Sequence, residues 1–149
     1  MELHNFLPYQ LSVLSNKISK GIAKFYRDQH GITIPEWRVL AILSATNHQT
    51  AKELTEHSQM DKVKISRTMK LLETKKLISE RTCSKDARAR RYNLTINGRQ
   101  LINEVKPKAL AYENALLSSL SKEQIKAFQS CIETLNQQAE KITKENQDF

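Results

Sequence analysis

Apolar positions recur at helical spacing over residues 7–27, at Leu7, Leu11, Leu14, Ile18, Ile22 and Phe25. A stripe every three to four residues predicts an amphipathic helix, and Gly31 supplies an end signal. Thr33-Ile34-Pro35-Glu36 reads as a capping box with proline in the first turn. It opens a short helix carrying Trp37, Leu40, Ala41 and Leu43. Thr50-Ala51-Lys52-Glu53 is a second capping box, whose helix turns Ala51 and Leu54 inward. Asp61 is a good N-cap for a helix over residues 61–75. Its apolar stripe is Ile65, Met69 and Leu72, while Lys62, Lys64, Ser66, Arg67 and Lys70 fall on the other side. Two helices joined by a tight turn at Ser58–Met60, the second basic outward, form a helix-turn-helix pattern.

The period then changes. Ile78–Cys83 and Arg90–Thr95 alternate as strands do, joined by a polar, charged tip over Ser84–Ala89. Thr95 caps a long helix with a stripe at Ile102, Val105, Ala109, Tyr112 and Leu116, and Pro107 inside it predicts a kink. Ser121-Lys122-Glu123-Gln124 is a third capping box. The helix behind it repeats the stripe at Ile125, Phe128, Ile132, Leu135, Ala139 and Ile142. The predicted class is mainly α with a small two-stranded β-wing. The terminal helices have little of their own chain to bury against, which points to a helix-mediated homodimer. The expected organisation is a single domain over 1–149, with dimerisation helices at 1–30 and 97–149 around a DNA-binding region at 33–96.

Composition sharpens this picture. The 149 residues carry a formal net charge of +8, with only three Gly and three Pro. Residues 50–99 hold 13 of the 24 Lys and Arg and 6 of the 16 Asp and Glu, a net +7 in one third of the chain. Such concentration is the electrostatic footprint of a nucleic-acid binder; a membrane surface is the weaker rival. No apolar run is long enough to span a membrane. No secretory signal is visible and the two cysteines make no disulfide framework, so the expected location is the cytoplasm.

Candidate chemistry is sparse. Lys62, Lys64 and Arg67 can bond guanine edges or phosphates, Val63 can touch a thymine methyl, and Ser66 and Lys70 share the exposed side. The histidines, His4, His30, His48 and His57, lack ligand spacing, so neither metal nor cofactor is expected. Cys131 beside the Phe128/Ile132 stripe reads as a buried, inert thiol. Cys83, between Arg81 and Lys85, has a setting that lowers a thiol pKa, which leaves redox control as an alternative. No nucleophile-base set, paired-carboxylate context or phosphate-binding glycine loop appears, so an enzyme is not expected.

Three segments resemble the multiple antibiotic resistance regulator (MarR) family over about residues 7–145. They are Gly31–Leu40, then Ala51–Ile78 with Met60-Asp61-Lys62 and Leu71-Leu72-Glu73, and then Asp86-Ala87-Arg88-Ala89 followed by Leu94-Thr95 and Gly98-Arg99. One departure is Lys76, where the family often has glycine. The resemblance implies a winged helix-turn-helix homodimer on double-stranded DNA with a pseudopalindromic operator. Its recognition helix would enter a major groove and its wing, with Lys85, Asp86, Arg88 and Arg90, a minor groove. Arg88 stands between two alanines, and Asp86 is placed to orient it. The resemblance also implies a repressor released by a small, often aromatic and anionic effector, in a pocket near Lys17, Trp37 and Arg38. The alternatives are a constitutive or redox-controlled DNA binder and, from another class, a winged-helix protein-interaction adaptor.

Overall fold

The computed structural model describes residues 2–83 and 86–145, and only the backbone of residues 83 and 86–89. The chain divides into two compact units, Met1–Leu110 and Ala111–Phe149. In the first, a short 3₁₀ turn (Leu3–Asn5) leads into α1 (Leu7–Ala23), α2 (Arg27–His30) and α3 (Ile34–Ala45). There follow β1 (Gln49–Thr50), α4 (Ala51–Ser58), α5 (Lys62–Thr74), β2 (Ile78–Cys83) and β3 (Asp86–Leu94). Helix α6 (Ile96–Leu117) starts in this unit and continues unbroken through Pro107.

The helix starts follow the caps. Thr33 and Glu36 exchange hydrogen bonds at the head of α3, as do Thr50 and Glu53 at the head of α4. Asp61 accepts from the Lys64 amide at 2.8 Å and opens α5. Gly31 ends α2 in the left-handed region at φ 62°. The helix expected over residues 7–27 is interrupted, however. Tyr26 leaves helical geometry at φ −127° and turns its ring into the core, where it stacks on Trp37 at 5.1 Å.

The core gathers the buried faces of these elements. Tyr26, Ile32, Val39, Leu40, Leu43, Leu54, Ile65 and Leu72 are almost fully buried, with Leu101, Ile102 and Val105 of α6 joining them. Ala51 is exposed, contrary to expectation. It is the first residue of α4, and the inward face of that helix begins with Leu54.

The sheet has three antiparallel strands in the order β1-β3-β2, one more than the wing alone. β1 pairs Gln49 with Tyr92 and Thr50 with Arg91, while β2 runs from Ile78↔Leu94 to Cys83↔Asp86. β3 therefore begins at Asp86 instead of Arg90, with an irregularity at Thr82/Cys83 that absorbs the extra residues.

Between α5 and β2, Lys76 takes the left-handed conformation at φ 57°, where glycine is the ordinary choice. The turn geometry expected of a glycine is thus reached by a lysine. Next to it, Thr95 donates its hydroxyl to the Lys76 carbonyl at 2.7 Å and accepts from the Gly98 amide at 3.1 Å. The Thr95 amide also donates to the Leu77 carbonyl at 3.1 Å. The end of α5 is thereby sewn to the start of α6.

In the second unit, Ser121 and Gln124 form the expected capping box at the head of α7 (Lys122–Glu145). α7 buries no residue in its own chain. Phe128, Ile132, Leu135 and Ile142 are 41–46% exposed. Cys131 is exposed too, which corrects the expectation of a buried thiol: the stripe beside it is itself exposed.

Gly98 allows the closest of these approaches, because a β-carbon there would collide with the Leu77 carbonyl oxygen. Gly98→Ala is expected to cost about 1–3 kcal/mol, the scale of overpacking a rigid site. A denaturant midpoint equal to that of the unmodified chain would refute this.

Candidate nucleic-acid interface

Helix α5 is divided by its own rotation. At roughly 100° per residue, the buried Ile65, Thr68, Met69 and Leu72 share one side. Val63, Arg67 and Lys70 lie opposite them, Val63 being 61% exposed. Lys62 and Ser66 lean to one flank, and Lys64 and the exposed Leu71 to the other. All six recognition-helix candidates are thus exposed side chains on a helix whose inner face is in the core.

The turn into α5 is built for a short reach. Gln59 takes φ 55°, Met60 is buried, and its amide donates to the Ser58 hydroxyl at 3.2 Å. α3 and α4 both pack against α5.

Lys62, Ser66 and Lys70 line a groove of about 630 Å³, whose far side is formed by Glu80, Arg90 and Tyr92 of the sheet. Arg90 is held there by Glu80, 3.0 Å away. Arg91 points elsewhere: it donates to the His48 carbonyl at 2.7 Å and sits 3.5 Å from Glu53. Glu53 has its carboxyl pKa lowered, chiefly by its hydrogen bond from the Thr50 amide. Lys85 lies outside the described residues, as do the side chains of Asp86, Arg88 and Cys83.

The cations of this segment therefore fall into two groups. Lys75, Arg90 and Arg91 face Glu36, Glu80 and Glu53 respectively. Among the described residues no ion pair engages Lys62, Lys64, Arg67 or Lys70. Nothing local in the sequence marks the paired group, since Lys75 and Glu36 are 39 positions apart and Arg91 and Glu53 are 38 apart.

A separate cavity of about 140 Å³ lies under Trp37 and Arg38, with Ser19, Ile22, Tyr26 and Ile34. Lys17 is exposed on α1 and is not among its lining residues. Among the described residues no cluster of His, Cys, Asp and Glu could hold a metal ion, and no helix is long and apolar enough to cross a membrane.

Residues 30–89 match the model of the MarR family. The whole fold matches the crystal structure of a MarR/EmrR family transcriptional regulator from Acinetobacter sp. ADP1, with a TM-score of 0.86 and 26% identity over 95% of this chain and 99% of that one. Over these residues the chain is similar to the MarR family. It has the winged helix-turn-helix fold of these transcriptional regulators. Two more distant structures share the fold. One is a mutant of MepR from S. aureus bound to an oligodeoxyribonucleotide, at 21% identity and a TM-score of 0.59, covering 90% of this chain and 98% of that one. The other is PcaV from Streptomyces coelicolor in complex with its natural ligand, at 16% identity and a TM-score of 0.72, covering 93% and 97%.

The cavity under Trp37 carries a titration signature. Burial pushes the Tyr26 hydroxyl up to about 12, with Arg27 and Arg38 pulling it partly back. An unfolded tyrosine titrates near 10, so the folded state favours the neutral phenol. Stability is intact below about pH 10 and falls as pH rises towards about 12, by up to roughly 2–3 kcal/mol. Tyr26→Phe keeps the ring and removes the proton. Urea melts at about pH 9 and about pH 11 are expected to show a smaller alkaline loss in the variant. Equal losses in both proteins would count against it.

Proposed function

We propose that this chain is a sequence-specific regulator of transcription that reads double-stranded DNA as a homodimer and acts as a repressor released by a small ligand. The observation that carries the DNA reading is the division of α5. Four cations without an ion pair among the described residues, and the exposed Val63 and Ser66, stand on a helix whose other side is locked in the core. Arg67, opposite the buried stripe, is the side chain best placed for a base edge or a phosphate. Lys62, Lys64 and Lys70 add phosphate contacts, and the wing residues Lys85, Asp86, Arg88 and Arg90 belong to the flanking minor groove. The DNA-bound MepR structure, similar in fold, supports the same reading.

A dimer has two-fold symmetry, so its site is a pseudopalindrome with half-sites about 10 bp apart. Affinity falls steeply with added salt as phosphate-bound counterions are released. The direct experiment titrates the DNA upstream of the chain's own gene against a scrambled duplex at one fixed salt concentration. A clear preference for the upstream duplex is expected, and Arg67→Ala is expected to weaken it by about 1–3 kcal/mol without unfolding the protein. Equal affinity of the unmodified protein for both duplexes would defeat the proposal.

What supports the homodimer is unspent apolar surface. Leu7, Leu11 and Leu14 of α1 and Phe128, Ile132, Leu135 and Ile142 of α7 remain exposed in the isolated chain. Covering them with a second copy removes that surface from water at about 25 cal/mol per Å². Light scattering at micromolar concentration is expected to give twice the chain mass. Phe128→Lys or Ile132→Lys is expected to shift the population towards monomer; a monodisperse, folded monomer of the unmodified protein would contradict this.

Release by a ligand is supported by the cavity under Trp37, with Arg38 at its edge as a cationic partner for a carboxylate. A ligand shifts the dimer only if it binds the DNA-free geometry better. Aromatic carboxylic acids added to the same DNA titration test this, and the absence of any effect favours a constitutive repressor.

A further inference from the structure

Glu36 is a carboxylate with no exposure at all. One oxygen accepts from the Thr33 amide at 2.7 Å and completes the α3 cap. That task does not require burial, since Glu53 performs it for α4 with its side chain 38% exposed. The second oxygen of Glu36 has a different partner: it accepts from the Lys75 ammonium at 2.6 Å. The same ammonium donates to the Gly31 carbonyl at 2.7 Å. Lys75 is the C-cap of α5, and its own amide donates back to the Leu71 carbonyl. The last turn of the recognition helix is therefore tied to the α2–α3 junction, 39 and 44 positions away in the chain. At the same junction His30 lies 3.4 Å from Glu104 on α6.

We infer that the Glu36–Lys75 pair is a positioning device that fixes the angle of α5 on the core and so sets the specificity of its DNA contacts. This rests on the reading that α5 reads DNA. The apolar stripe of α5 cannot supply that precision alone, because hydrophobic burial is non-directional. A charge-assisted hydrogen bond is directional and short. Buried ion pairs add little net stability, and registry is their best-attested use. The lever is long: α5 has 13 residues, about 18 Å at 1.5 Å per residue. A tilt of about 5° at the clamped end moves the Lys62 end by more than about 1 Å, enough to spoil bidentate base contacts.

Glu36→Gln is the discriminating variant. It preserves shape and the bond to Thr33, and it removes one negative charge, so charge counting alone gives tighter DNA binding. Positioning gives the opposite. In the full-length protein, Glu36→Gln is expected to weaken binding to the upstream duplex by about tenfold, the effect of losing one good base contact. Binding to the scrambled duplex should change by less than about twofold, with the salt slope unchanged, because phosphate contacts are retained. Lys75→Met is expected to do the same, and the double variant to be no worse than the poorer single, as for two halves of one interaction. The double variant also serves if Lys75→Met alone, with its carboxylate left unpaired, fails to fold.

A second readout needs no DNA. In a Cys83→Ser, Cys131→Ser background, spin labels at Ser66→Cys and Lys106→Cys report the α5–α6 distance. Glu36→Gln is expected to broaden or shift that distribution. Unchanged distances in a folded Glu36→Gln variant, with only its unfolding midpoint lowered, would overturn the inference. So would tighter binding of that variant to both duplexes. If the unmodified protein prefers neither duplex, the DNA reading fails on its own, and the distances still decide the clamp.

Discussion

The structure depends on a single division of labour within α5. Ile65, Thr68, Met69 and Leu72 are buried while Lys64, Ser66, Arg67, Lys70 and Leu71 beside them are exposed. A 13-residue helix is marginal alone in water. Burying each large apolar side chain contributes about 1.5–3 kcal/mol. The basic face is thus displayed at the expense of the apolar one, and neither survives without the other. The surrounding features set where this helix begins and ends. Asp61 starts it, the left-handed Gln59 brings α4 close enough to pack on it, and the left-handed Lys76 stops it short of the sheet.

Acidic residues in and near the strongly basic segment have a structural part in this. Glu36, Glu53 and Glu80 hold Lys75, Arg91 and Arg90 against the body of the protein. The cations on the α5 surface are left to face solvent. A count of charges along the chain treats all of these alike, whereas the fold sorts them into those that hold the scaffold and those that project from it. Arg90 joins both groups, since it lines the groove beside α5 while bonded to Glu80.

What could be read from the sequence was local. The three capping boxes, the Asp61 cap, the Gly31 terminus and the α5 stripe rest on residues within four positions of one another, where helix geometry leaves little choice. What could not be read was set by distant partners. The helix expected to run on from α1 breaks at Tyr26 because that ring is drawn onto Trp37. β1 exists only because β3 offers an edge, and Arg91 reaches His48 across 43 positions. The start of β3 was obscured by an irregularity that no alternation pattern encodes. Cys131 was misplaced because the apolar stripe beside it is itself exposed in the single chain. Of the candidate interface, the exposed face of α5 was legible. Glu36 was seen as a cap, but its bond to Lys75 was not visible.

The stacked pair of Tyr26 and Trp37 has a practical side. Trp37 is the single tryptophan of the chain, and its ring lies 5.1 Å from that of Tyr26, nearly parallel at 14°. It also forms one wall of the small cavity beside Arg38. The chain therefore contains one indole fluorophore, placed near the start of α3. Excited selectively at the red edge of absorption, that indole is a native optical gauge of the α2–α3 junction, free of any competing tryptophan and of any attached dye.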